Sequence, residues 1–275
     1  MLRPDYPMLC SIAGYDPTGR AGASADRRTW RHAGIPGTSV LTAWTAQDDE
    51  GVHAVVPLGP EHVRAQLEAI DDRYRIGAFK TGMLPDAATA QVVVEHLADV
   101  KVPVVVDPVM GGSAGGCLTP DDAIDVLRRA PLGPTTILTP NAAEAARLLD
   151  DGSSAAATIT EAERQAHALL ERGGVAVVIT GVRLAAREVV DVLVDADGDL
   201  HTYARPLIPD VDPRGTGCVF ASCVAIACAG GASVSWAVQR AGDVLHAAIA
   251  RAATSDDARC LRLEGCPLPT APQGR

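Results

Sequence analysis

Along residues 8–254, short apolar runs alternate with stretches in which apolar residues recur every three or four positions. Residues 8–14 (MLCSIAG), 76–80, 102–107, 135–139 and 175–180 are brief, largely β-branched runs and read as buried strands. Residues 38–43 and 52–57 are also rich in strand formers. Between them lie helical spacings. Val63, Leu67 and Ile70 recur at i, i+4 and i+7, which predicts a helix over 61–70. Further helices are predicted over 23–32, from a cap at Asp86 to Leu97, over 142–149, and over 160–171. Another is expected to start at Thr119, with Asp122 in capping-box spacing. Residues 189–195 and 200–204, joined by Ala196-Asp197-Gly198-Asp199, read as a hairpin. Helices over 217–229 and 233–254 close the pattern. Strand followed by helix, repeated, implies an α/β fold: a mainly parallel central sheet with helices on both faces.

Length and composition narrow this picture. The chain has 275 residues, 47% hydrophobic, enough for one large core, so a single domain over 1–263 is expected, with a loose tail over 264–275. The formal net charge of -10 argues against a nucleic-acid binder, although phosphates can still be held by backbone N–H groups. The first ten residues, MLRPDYPMLC, lack an apolar signal core, and no run reaches the ~18 apolar residues of a spanning helix. Seven cysteines without CxxC pairs fit free thiols in a reducing compartment. A cytoplasmic protein without membrane or nucleic-acid partners is the expectation.

In parallel sheets, ligands sit at the carboxyl ends of the strands. The polar clusters fall there: 14–22, 80–83, 107–116, 141–144 and 180–183. Arg214-Gly215-Thr216-Gly217-Cys218 directly precedes an apolar helix. Its glycines and the helix N-terminus could make an anion hole for a phosphoryl group, with Cys218 held as a thiolate by the same field and able to take a hydroxyl proton. A plain helix-start turn with an inert cysteine fits these residues equally well. Asn141 and Glu144 share a helical face and could orient waters around Mg²⁺, or serve only as an N-cap with its first-turn partner. Gly111-Gly112-Ser113-Ala114-Gly115-Gly116 reads as a flap or as a plain surface loop. Lys80, at a strand end, could meet phosphate or simply be solvated. There is no GxxxxGK[ST], no GxGxxG and no GxSxG.

Six segments occur in one order. SIAGYDPTGRAGASAD (11–26), LTAWTAQ (41–47), KTGML (80–84), VVVDPVM (104–110), TPNAAEAARLL (139–149) and GTGC (215–218) resemble the hydroxymethylpyrimidine/phosphomethylpyrimidine kinases of thiamine biosynthesis. The resemblance covers roughly residues 8–250. It implies a ribokinase-like fold, commonly a homodimer, and transfer of the ATP γ-phosphoryl group, with Mg²⁺, to 4-amino-5-hydroxymethyl-2-methylpyrimidine and then to its monophosphate. By matching positions, Gly14, Asp26, Gln47, Met83 and Val109 would line the pyrimidine pocket. Asn141 and Glu144 would serve the metal, through water, and the phosphates. Lys80, Thr180, Gly181 and Thr216 would join them on the nucleotide side. Gly215 and Gly217 would form the anion hole and Cys218 would be the base.

Departures from that pattern cluster near the same sites. Tyr15 stands for Ser, Arg20 for Gly, and Ala23-Ser24 for Ile-Gln. Thr180-Gly181-Val182-Arg183 stands for Lys-Gly-Gly-His, and Pro213-Arg214 for Thr-His. Arg183 or Arg214 is then left to supply the missing positive charge. These changes keep two other readings open: a Cys-bearing pyridoxal kinase, and a catalytically weak pyrimidine-binding relative on the same fold.

Overall fold

The computed structural model describes residues 7–111, 116–184 and 187–270. Nine strands form one sheet: β1 (Met8–Tyr15), β2 (Gly37–Gln47), β3 (Val52–Pro57), β4 (Ile76–Thr81), β5 (Val104–Val106), β6 (Thr136–Leu138), β7 (Ala176–Leu184), β8 (Glu188–Asp195) and β9 (Leu200–Pro206). Their order is β3-β2-β1-β4-β5-β6-β7-β8-β9. The six central strands, β2 through β7 in that order, run parallel. Antiparallel β3 and the β8–β9 hairpin finish the two edges.

The helices are α1 (Gly22–His32), α2 (Pro60–Asp71), α3 (Ala87–Leu97), α4 (Asp121–Arg129), α5 (Ala142–Leu149), α6 (Ile159–Leu170), α7 (Thr216–Ala229) and α8 (Val234–Ala253). They divide between the faces by the two-residue period of the strands. On one face, Leu9, Ala78, Val105, Ile137, Ala176 and Val178 meet Trp30 of α1 and the apolar sides of α7 and α8. On the other, Cys10, Ile12, Phe79 and Val104 meet α2 and α3, and Val177, Ile179 and Val192 meet α5 and α6. Every residue of α7 from Cys218 to Cys228 is buried, so this helix is apolar all round and enclosed.

Most elements match the sequence pattern within two residues, including the cap Asp86, although β2 runs on past 43 to Gln47. Four differences have clear causes. The strand expected over 102–107 narrows to Val104–Val106 because Pro103 and Pro108 bracket it. The strand ending at 180 instead runs to Leu184, through a bulge between Ile179 and Val182 where Gly181 takes φ +69°. Thr119 caps no helix: its hydroxyl donates to the Val109 carbonyl (2.5 Å), and α4 begins after Pro120. Finally, the tail expected to be loose is packed as far as Thr270. Cys266 is buried, Leu268 rests on the α7–α8 core, and Arg251 donates to the Glu264 carbonyl (2.6 Å). Residues 112–115 of the expected flap and 271–275 lie outside the described residues. Among the described residues, no helix is long and apolar enough to cross a membrane.

Trp30 shows how tightly the α1 layer is closed. It is fully buried, its indole N–H donates to the Ser222 carbonyl of α7 (3.3 Å), and its ring lies where a Cβ on Gly37 would sit at 2.4 Å. Trp30→Ala should therefore lower the unfolding free energy by ~3–5 kcal/mol, measured by urea titration.

Candidate active site

The carboxyl ends of the parallel strands open into one cleft of about 660 Å³. Sheet order sets the order of residues along its rim. Gln47 ends β2, Gly14 lies near the end of β1, and Met83 follows β4. Asp107 and Val109 follow β5, Asn141 and Glu144 follow β6, and Thr180 and Gly181 belong to β7. All of them line the cleft, as do Gly215, Thr216, Gly217 and Cys218 from α7.

At the β2–β1–β4 end the wall is made by Gly14, Thr45, Gln47 and Met83. The Met83 thioether lies over Gly14, where a Cβ would meet its Cε at 2.3 Å. The Met83 carbonyl accepts from Thr42 Oγ1 (2.8 Å), which fixes this turn. The Gln47 amide donates to Thr45 Oγ1 (2.7 Å), and Thr45 in turn donates to the Tyr15 carbonyl (2.9 Å).

The loop from Gly14 to Gly22 is held from within. The buried Asp16 carboxylate accepts from the backbone N–H groups of Thr18, Arg20 and Ala21 and from the Thr18 hydroxyl (2.8–3.2 Å). Arg20, a departure from the family pattern, pairs with Asp49 (2.5 Å) and Asp257 (2.8 Å), so its charge serves the loop. The Arg20 carbonyl then presses on Gly215: a Cβ there would sit 2.0 Å from that oxygen, and φ is +75°. Only glycine fits both restraints. Gly215 thereby starts α7 at the cleft wall, and the N–H groups that a helix start leaves unpaired make such a place suitable for anionic oxygens.

Three charged groups lie at and beneath the cleft floor. Lys80 Nζ is 3.1 Å from Asp26 Oδ1 and 3.3 Å from Asp107 Oδ2, and Lys80 and Asp26 are fully buried. Asp26 also accepts from Ser11 Oγ (2.6 Å) and Ser222 Oγ (2.8 Å). Two expectations change here. Asp26 and Lys80 are absent from the cleft wall, because strand alternation turns Lys80 toward α7 and α1 brings Asp26 beneath the same layer. Neither is placed to touch a pyrimidine or a nucleotide directly. Cys218 changes too. The thiolate expected from the helix field is not favoured: burial pushes the thiol up to about 12, with Lys80 pulling down and Asp107 and Asp26 pushing up. Burial likewise raises Asp107, against the pull of Lys80.

At the other end, Asn141 and Glu144 form a full capping box on α5. Asn141 Oδ1 accepts from the Ala143 and Glu144 N–H groups, and Glu144 returns an acceptor to the Asn141 N–H (2.9 Å) and to the Met110 N–H (3.4 Å). Burial and then Asp107 push the Glu144 carboxyl up to about 7, against those backbone donors. Among the described residues no cluster of three His, Cys, Asp or Glu could enclose a metal. A strained carboxylate beside an open cleft does suit a hydrated Mg²⁺ that takes most of its ligands from water and phosphate.

Residues that the sequence reading passed over complete the wall. Asp191, raised by burial, accepts from the Gly181 N–H (3.0 Å) and pairs with Arg205 (2.9 Å), which braces the β7 bulge. Leu207, Ile208, Val211, Leu245 and Ile249 add an apolar surface. Nothing in their spacing marks them, since α8 and the segment after β9 meet only in the folded chain. Arg214, already named as a departure from the family pattern, is 5% exposed, lines the cleft, and has Nε and Nη2 without hydrogen-bond partners among the described residues. Arg183 lines the same cleft but is exposed.

Comparison with known proteins agrees with this geometry. The family model described as phosphomethylpyrimidine kinase matches residues 16–259. The hydroxymethylpyrimidine/phosphomethylpyrimidine kinase of Streptomyces coelicolor is 38% identical over 247 residues, 88% of each chain. That of Escherichia coli is 36% identical, over 89% of this chain and 91% of the relative. The fold matches the crystal structure of an ADP complex of Bacillus subtilis pyridoxal kinase, with a TM-score of 0.79 and 31% identity over 89% of this chain and 92% of that one. It also matches phosphomethylpyrimidine kinase from Clostridium difficile, with a TM-score of 0.75 and 30% identity over 88% and 99%.

The raised carboxyl of Glu144 gives a pH prediction. Its folded pKa, about 7, exceeds the ordinary 4.5, so the folded state binds this proton more tightly. The resulting stability is fully present below pH 4.5 and is lost as pH rises through about 7. Glu144→Gln should flatten this part of the fall in denaturation midpoint across that window.

Proposed function

The chain belongs to the phosphomethylpyrimidine kinase family and is a kinase of the ribokinase fold, and we propose that it uses ATP to phosphorylate 4-amino-5-hydroxymethyl-2-methylpyrimidine and its monophosphate. The observation that carries this reading is the order along the rim. Gly14, Gln47 and Met83 line the cleft at the β2–β1–β4 end, and the N-terminus of α7 lines the same cleft, with Cys218 among its residues.

Each role follows from position. The part of the cleft lined by Gly14, Met83 and Val109 would take the planar ring, and the Gln47 amide would meet its amino-pyrimidine edge. The Gly217 and Cys218 N–H groups would face the charge that grows on the phosphoryl oxygens. Cys218 Sγ would take the proton of the acceptor hydroxyl while its own proton passes to the buried carboxylate below, since burial leaves the thiol protonated. Thr180, Gly181 and Thr216 would border the nucleotide phosphates, and the apolar wall of Leu245 and Ile249 suits a purine base. Asn141 and Glu144 would hold Mg²⁺ through water, and the ion would neutralise phosphate charge. Arg214 would supply the positive charge missing at Thr180 and would hold the phosphate of the monophosphate substrate, a role its unpaired nitrogens beside the cleft support. A cytoplasmic homodimer belongs to the same reading, supported by the exposed cross-strand pair Trp44 and Val56 on the β2–β3 edge.

The decisive experiment incubates the protein with the hydroxymethyl-pyrimidine, ATP and Mg²⁺ and looks for mono- and diphosphate by mass spectrometry. No product at high enzyme concentration refutes the reading, and tight pyrimidine binding without turnover would make the chain a binding protein. Pyridoxal is the second acceptor to assay, because a solved pyridoxal kinase shares the fold as closely as the solved phosphomethylpyrimidine kinase does. A higher kcat/KM for pyridoxal would reverse the order. Cys218→Ala should slow transfer by ~10²–10⁴-fold with little change in KM. Arg214→Ala should raise KM for the monophosphate by ~10–100-fold, the loss of a charged hydrogen bond of ~1.5–3 kcal/mol, and leave KM for the unphosphorylated pyrimidine unchanged.

A further inference from the structure

The polar group beneath the cleft floor has no task in the roles assigned above. Strand alternation in β4 puts Ala78 and Lys80 on the α7 face and Phe79 on the other. Lys80 is thereby driven into a layer closed by α1 and α7, where it is fully buried. Its Nζ lies 3.1 and 3.2 Å from the two oxygens of Asp26 and 3.3 Å from Asp107 Oδ2. Asp26 is anchored on its far side by the hydroxyls of Ser11 (2.6 Å) and Ser222 (2.8 Å). Asp107 Oδ2 has no hydrogen-bond donor beyond this ion pair. Asp107 and Cys218 line the cleft, whereas Asp26 and Lys80 do not. The charges therefore run outward in a row: carboxylate, ammonium, carboxylate, and then the sulfur at the floor.

Such a row is a poor way to stabilise a core. Desolvation disfavours each buried ion, and apolar side chains of similar volume commonly do as well or better. Its open end, however, lies where the proposed reaction releases a proton.

We propose that Lys80 is a positioning residue for phosphoryl transfer, its ammonium being the fixed counter-charge that lets Asp107 and Cys218 together accept the proton of the acceptor hydroxyl. This rests on the kinase reading above. In the step, the hydroxyl oxygen bonds to the γ-phosphorus and the bond from that phosphorus to the bridging oxygen breaks. The nucleoside diphosphate leaves with the electron pair, and the hydroxyl proton passes to the sulfur–carboxylate pair. Asp26, Lys80 and Asp107 together carry one net negative charge, which the arriving proton cancels. Without the ammonium, two buried carboxylates would oppose any negative charge on sulfur. The charged groups that act on Cys218 are Lys80 from β4, Asp26 from α1 and Asp107 from the end of β5; Glu144 of α5 acts on Asp107. Burial raises the Cys218 thiol, and among these groups Lys80 is the one that pulls it down. For Lys80 itself, burial disfavours the charge, but Asp26 above all, then Cys218 and Asp107, outweigh it and hold the ammonium protonated.

The test is Lys80→Met/Asp26→Asn, which removes one charge of each sign and leaves Ser11 and Ser222 a partner. The folded variant should keep KM for ATP and for the pyrimidine, with kcat lowered ~10²-fold or more. Iodoacetamide modification of Cys218 at fixed pH, followed by peptide mass spectrometry, should slow severalfold. A merely structural role would leave the alkylation rate of the folded variant at the wild-type value. Wild-type kcat with unchanged alkylation overturns the proposal. Ser222→Ala, which only loosens the Asp26 clamp, is the milder variant. It should lower kcat severalfold and shift the acidic limb of the pH–rate profile upward, and full kcat with an unmoved profile overturns the proposal even if the double variant fails to fold. Turnover by wild-type protein runs alongside. An inactive wild type refutes the kinase reading, while the alkylation comparison still reports on Lys80 alone.

Discussion

The enclosure of α7 is the constraint on which the rest of the molecule depends. A helix that is apolar on every side must be covered on every side, here by the sheet, α1 and α8. Covering it leaves its N-terminus at the sheet's carboxyl edge, where backbone N–H groups cannot all be paired within the helix. The chain approaches that end through Gly215, pressed against the Arg20 carbonyl in a conformation open only to glycine. The Asp16-stitched loop, the α7 terminus and the strand ends are thus parts of one packed arrangement. The cleft follows from how the core is closed.

Closing the core also traps charge. Lys80 sits on the covered face because it is two residues from Ala78 on the same strand, and a strand cannot turn one side chain away from its face. The fold then supplies two carboxylates to hold it, and two hydroxyls that hold one of them, Asp26. Burial has a second effect at Cys218, where it outweighs the helix field and leaves a protonated thiol. Position at a helix start therefore does not by itself make a reactive sulfur. The residues under that sulfur decide what it can do.

The same contrast runs through the rim. Gly14, Gln47, Met83, Val109, Asn141, Glu144, Thr180, Gly181, Thr216 and the GTGC turn are gathered on one cleft, as their places after successive strands imply. Asn141 and Glu144 form the full capping box that one reading of them expected, and they do so at the cleft wall. Asp26 belongs to the same sequence segment as Gly14 but reaches a different environment, since it lies on the helix face that packs inward. Arg20 and Arg214, both departures from the family pattern, part in the same way. Arg20 is paired within the loop, whereas two nitrogens of Arg214 are left without partners beside the cleft.

The sequence by itself determined the alternation of strands and helices, the parallel character of the sheet, the edge hairpin and the ordered motifs. Those depend on local periodicity, turn chemistry and residues close in the chain, which are written along it. It could not determine which strand faces would be covered, how far β5 and β7 extend, or that the segment after Leu263 would pack on α7 and α8. Nor could it show Lys80 between Asp26 and Asp107, or the wall that α8 adds to the cleft. Those are settled by burial and by charges brought together from distant segments, and desolvation exists only once the layers have closed.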